Sequence, residues 1–75
     1  MSERLDITGE RCPMTYVRTK LKLEAIPAGA LLDVFLLGDE PLRSVPRSAR
    51  EDGHEVVSVE QLPGGTWRLR LRKKG

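Results

Sequence analysis

Apolar and polar positions alternate first over Arg4 to Ile7, where Leu5 and Ile7 share one side, the period of a short strand. Gly9 then turns the chain, and Cys12-Pro13 opens a helix. Proline is favoured at the first helical position because its missing N–H would have had no partner there, which puts Cys12 at the N-cap. At about 100° per residue, Met14, Val17, Leu21 and Ala25 fall within an arc of roughly 80°, so they are the expected core stripe of this helix. Arg18 and Lys22 flank that stripe, while Tyr16 and Leu23 point the other way and have no packing role in this reading. Pro27 and Gly29 end the helix.

Ala30 to Leu37 reads as a strand with two apolar faces, Leu32, Val34 and Leu36 on one and Leu31, Phe35 and Leu37 on the other, the latter interrupted by Asp33. Asp39 is the expected N-cap of a second helix with Pro41 in its first turn and Leu42, Val45 and Ala49 on its buried side. Pro46 inside that helix removes one hydrogen bond and is expected to distort it, and Gly53 suits the position after its end. His54 to Glu60 forms a third strand, Pro63-Gly64-Gly65 a turn, and Thr66 to Arg72 a last strand alternating Trp67, Leu69 and Leu71 with Arg68, Arg70 and Arg72. The order βαβαββ predicts an α+β fold: a two-layer α/β sandwich over residues 1–75 as one domain, with both helices on one face of a four-stranded mixed sheet.

Composition changes this picture little. The chain has 75 residues, 39% hydrophobic and 32% charged, as in a small globular domain. No apolar run approaches the roughly 20 residues of a membrane-spanning helix, and the first ten residues have no apolar segment of the secretory type, so the cytoplasm is the expected location. With one cysteine and one histidine there is no CxxC or Cys/His cluster, and neither a metal nor a cofactor is expected. The net charge of +2 is too mild to indicate nucleic-acid binding, although Arg68, Arg70, Arg72, Lys73 and Lys74 crowd the end of the chain.

The candidate chemistry lies in Arg11-Cys12-Pro13-Met14-Thr15. A thiol at an N-cap faces the unpaired amides of the first helical turn and the positive end of the helix dipole. Both favour the thiolate, so its pKa should fall below about 8.5. Arg11 and Arg18 add positive potential and Glu10 opposes it. Such a thiolate attacks sulfur electrophiles and can hold a terminal persulfide. A lone cysteine is equally at home as a small buried hydrophobe, and the residues alone leave both roles open.

The stretch Leu5-Asp6-Ile7-Thr8-Gly9-Glu10-Arg11-Cys12-Pro13-Met14 resembles the signature of the TusA/SirA-like sulfur-carrier family, Leu-Asp, two residues, Gly, two residues, Cys-Pro-x-Pro. The resemblance continues through Val17-Arg18-Thr19-Lys20, the Pro27-Ala28-Gly29 turn, Asp39-Glu40-Pro41, Val45-Pro46 and Gly53-His54-Glu55. It implies the same βαβαββ fold. It also implies that Cys12 accepts sulfane sulfur from a donor protein (a cysteine desulfurase or a rhodanese-like protein) and relays it as a persulfide to an acceptor protein in tRNA thiolation, molybdenum-cofactor chemistry or sulfur metabolism. The chain would act as a sulfurtransferase-type carrier between partner enzymes. Pro13 and the first-turn amides of Met14 and Thr15 would stabilise the persulfide, with Arg11 and Arg18 in support. Thr15 replaces the family's second proline. It restores an amide and adds a hydroxyl, either as a further donor to the sulfur anion or simply as a residue that tolerates a first helical turn.

Two other readings stay beside this one. The fold also reads as a binding or regulatory module in which Cys12 transfers nothing, or as a small nucleic-acid-binding domain using the basic last strand. The Arg68, Arg70 and Arg72 stripe is either a solvated strand face or a docking surface, for an acidic protein before RNA, since the chain has only three aromatic residues. Phe35, with Leu31 and Leu37, is a candidate contact patch on the open sheet face. His54 is 42 positions from Cys12 and is expected to be structural rather than a base.

Overall fold

The computed structural model describes residues 2–10 and 14–74. Its elements are β1 (Ser2–Asp6), α1 (Met14–Ala25), β2 (Leu31–Leu37), α2 (Asp39–Glu51), β3 (Glu55–Gln61) and β4 (Thr66–Arg72), the expected βαβαββ order. The sheet runs β1-β2-β4-β3. β1 and β2 are parallel, as a helical crossover requires, and β4 pairs antiparallel with both β2 and β3. Register puts Leu32 beside Leu71, Val34 beside Leu69 and Leu36 beside Trp67. That apolar face and the inner sides of both helices enclose a core of Ile7, Leu23, Ile26, Leu32, Val34, Leu36, Val45, Ala49, Leu69 and Leu71.

The largest departure from expectation is the rotation of α1. Met14, Val17 and Leu21 are 43%, 40% and 59% exposed, and the buried residues are Thr15, Thr19 and Leu23, followed by Ile26. Tyr16, which had no packing role in the sequence pattern, packs against the core. The inward face tolerates a buried threonine because the Thr19 hydroxyl donates to the Thr15 carbonyl at 2.8 Å, so that hydroxyl is not stranded.

Smaller differences follow from backbone geometry. β1 starts earlier and ends at Asp6, with the Ile7 amide still donating to the Phe35 carbonyl at 3.0 Å. The N-cap of α2 is Gly38, whose φ of 97° turns the chain out of β2, so Asp39 lies in the first turn beside Glu40 rather than capping it. Both carboxylates still favour the positive end of the helix. α2 continues through the buried Pro46 as one helix. It closes as expected at Gly53, with the amides of Gly53 and His54 donating to the carbonyls of Arg50 and Ala49, both at 2.9 Å, the paired bonds of a Schellman end. β3 begins at Glu55 rather than His54, and an irregularity at Val57 interrupts its pairing with β4.

Candidate functional site

The β1–α1 turn is built by its own polar residues. Asp6 accepts from the Thr8 amide at 2.9 Å and the Thr8 hydroxyl at 2.7 Å, and these donors hold its carboxyl below the usual carboxylate range. The Glu10 amide donates to the Ile7 carbonyl at 3.1 Å, closing the turn. The Glu10 carboxylate then reaches α1, where Arg18 Nε pairs with it at 2.9 Å. The chain between Glu10 and Met14 is thus bracketed by an ion pair linking the turn to the second turn of the helix. Arg11, Cys12 and Pro13, the expected nucleophile and its neighbours, lie outside the described residues. Of the other residues assigned there from sequence, Met14 is exposed and Thr15 is buried with its carbonyl occupied by Thr19. Arg18 is engaged by Glu10 and remains largely exposed. The first turn of α1 contains no acidic residue, so no carboxylate there opposes an anion at the helix start.

The arginine stripe is not a free cationic surface. Arg68 pairs with Glu60, Arg72 with Glu55 at 3.6 Å, and Arg70 holds Asp33 with two bonds, Nε to Oδ1 at 2.7 Å and Nη2 to Oδ2 at 3.1 Å. Asp33 is only 7% exposed, and the Arg70 hydrogen bond holds its carboxyl below the usual range against the opposing effect of burial. Asp33 interrupts an apolar strand face, and Arg70 sits opposite it in register. An acid in an otherwise apolar strand, answered by a basic alternating strand, was the available signal for this pair. Phe35 lies half-buried on the same open face, opposite Arg68.

His54 sits at the end of α2 beside α1, where it is tied to the last residues of the chain. Its Nδ1 accepts the Lys74 amide at 3.2 Å, which leaves the ring proton on Nε2. Burial pushes its pKa down. With Lys20, Glu24, Asp52, Lys73 and Lys74 it lines a cleft of about 300 Å³. Lys20 is six residues beyond Met14, about 9 Å along the helix. Beside the cleft, the Tyr16 hydroxyl donates to Asp52, tying α1 to the end of α2. Burial, reinforced by that bond, pushes the Tyr16 pKa well up. Among the described residues, no three His, Cys, Asp or Glu side chains group as metal ligands, and no helix is long and apolar enough to cross a membrane.

Comparison with known proteins adds to this geometry. Residues 3–73 match the family model described as Sulfurtransferase TusA. An Archaeoglobus fulgidus protein named "Putative sulfur carrier protein" is 45% identical, with 97% of this chain and 83% of that one covered. A Thermotoga maritima protein of the same name is 30% identical over 99% of this chain and 94% of its own. "Putative sulfur carrier protein YedF" of Escherichia coli is 31% identical, with 93% and 90% covered. The crystal structure of a SirA-like protein from Desulfitobacterium hafniense superposes with a TM-score of 0.85 at 19% identity, over 97% of this chain and 99% of that one, and so shares the fold.

Proposed function

We propose, given that this chain belongs to the TusA sulfurtransferase family, that it is a sulfur carrier in which Cys12 accepts sulfane sulfur as a persulfide and passes it to an acceptor protein. The observation that carries the reading is the family match over residues 3–73, within which the chain's one cysteine stands directly before Pro13 and the start of α1. The Cys12 thiolate attacks the outer sulfur of a donor persulfide. The donor's S–S bond breaks, the donor cysteine leaves as a thiolate, and the outer sulfur with its proton stays on Cys12. No net oxidation occurs, so the step needs no redox cofactor. Delivery repeats the exchange with Cys12 as the leaving thiolate, and a low pKa favours that departure.

In this reading the first-turn amides of Met14 and Thr15 stabilise both anions, with Pro13 presetting the helix and Arg11 and Arg18 adding charge. The absence of a first-turn acid in α1 supports it. Donor and acceptor are partner proteins, and the reducing cytoplasm suits a lone reactive thiol. The paired arginines of β4 count against the nucleic-acid alternative, since their charge is answered by Glu60, Asp33 and Glu55. Incubation with inorganic polysulfide followed by intact-mass measurement tests the proposal. The mass of one added sulfur, lost on reduction and absent in Cys12→Ser, is expected. A protein that takes up no sulfur, or takes it equally in Cys12→Ser, refutes it.

A further inference from the structure

The cleft formed by Lys20 and Glu24 of α1, Asp52 and His54 at the end of α2, and Lys73 and Lys74 takes no part in the exchange at Cys12. Its volume of about 300 Å³ is at the lower end for small-ligand pockets, roughly 300–1,000 Å³. Two of its groups are already committed. Lys73 Nζ donates to the Ile26 carbonyl at 2.7 Å, closing the end of α1, and Asp52 accepts the Tyr16 hydroxyl. Three donors remain. Lys20 and Lys74 make no ion pair among the described residues. His54 spends its Nδ1 lone pair on the Lys74 amide, so Nε2–H is the end left for a ligand. The bare Gly53 lets the Lys74 stem lie against it, since a Cβ there would come within 3.1 Å of Lys74 Cδ. The three donors also converge: after the Tyr16 hydrogen bond, Lys20, His54 and Lys74 are the groups that hold the Asp52 carboxyl below its usual range. Three ammonium groups against the carboxylates of Glu24 and Asp52 leave one net positive charge.

We propose that this cleft binds a tetrahedral oxoanion of the phosphate type, free or as a monoester, with Lys20, Lys74 and His54 Nε2–H as its donors. A cation would meet the ammonium groups and an imidazole with no lone pair left. A carboxylate presents two oxygens in one plane, whereas a tetrahedral anion can turn a separate oxygen to each of three donors on three separate segments. Bound there, the anion would tie α1, the end of α2 and the last residues of the chain together. The proposal stands independently of the sulfur-carrier reading.

Titrating the full chain with sodium phosphate at neutral pH and constant ionic strength, followed by the Lys74 amide and His54 ring resonances, tests it. A saturable shift in the millimolar range is expected, one that sodium chloride does not reproduce. Lys20→Gln and Lys74→Gln, both at exposed positions, should each weaken binding by about threefold or more. Asp52→Asn removes an opposing charge and keeps an oxygen for Tyr16, so it should tighten binding by about the same factor. Arg43→Gln removes one charge from an exposed position outside the cleft and should have a smaller effect than either lysine change. Adenosine monophosphate, with adenosine as control, identifies the source. Tighter binding than phosphate, with none for adenosine, assigns a monoester, and equal binding assigns the free anion. A shift that does not saturate, one matched by chloride, or an equal loss in Arg43→Gln overturns the proposal. So does weaker binding in Asp52→Asn.

Discussion

Truncating Leu23 and Leu21 to alanine, two residues apart on α1, should give opposite results, and the contrast tests the orientation of the helix. Leu23 is fully buried and Leu21 is 59% exposed. Leu23→Ala removes about three carbons' worth of burial, roughly 2.4 kcal/mol at 0.8 kcal/mol per methylene. It also leaves a cavity against the sheet, so the expected cost is about 3 kcal/mol, within the 2–5 kcal/mol typical of such changes. A domain this size has on the order of 4–11 kcal/mol of stability, so that loss should lower Tm by roughly 12–24 °C. Leu21→Ala removes only partly buried carbons, leaves no enclosed cavity and gains slightly in helix propensity, so its cost should stay below about 1 kcal/mol. Urea unfolding followed by Trp67 fluorescence measures both, because Trp67 packs against the core. Equal costs, or a larger cost for Leu21→Ala, would mean that the helix presents the other face in solution.

Other expectations are as direct. Arg70→Ala should destabilise the fold at neutral pH by leaving the buried Asp33 carboxylate unpaired. Because the folded pKa of Asp33 lies below its unfolded value of about 3.9, the pair's contribution is present above that pH and is lost as pH falls through the folded pKa. Melting curves at pH 7 and pH 3 should therefore show the variant's deficit shrinking in acid, and a pH-independent deficit would contradict the ion-pair account. Tyr16→Phe should cost about 1 kcal/mol through loss of its hydroxyl's bond. The raised Tyr16 pKa means its contribution is full below about pH 10 and is lost as pH rises further, a dependence that chemical unfolding at pH 9 and pH 11 should find absent in the variant. Thr15→Pro removes one first-turn amide. If that amide supports the Cys12 thiolate with the 1.5–3 kcal/mol of a charge-assisted bond, alkylation kinetics should place the thiol pKa about one to two units higher. An unchanged value assigns Thr15 to packing alone.

Local sequence chemistry determined most of what was legible. Alternation in β4, the glycines at 53 and 64–65, the prolines at helix starts and the Cys-Pro signature are short-range signals, and they marked the element order and the family. The terminal glycine of α2 closes with the two bonds that residue type predicts. What tertiary structure alone decided was which side of α1 faces the sheet, and what the β4 arginines face. α1 has apolar residues on both sides, and its one expected stripe is the side that faces solvent. The opposite side packs inward because the Thr19 hydroxyl is satisfied by the Thr15 carbonyl while Leu23, Ile26 and Tyr16 fill the space above the sheet. The partner of Arg70 is not legible along the chain because Asp33 lies 37 residues away, and only the β2–β4 register sets them side by side. Helix rotation and strand register are minimised over the whole molecule rather than over a window, which is why the exposed side of α1 could not be read from the chain.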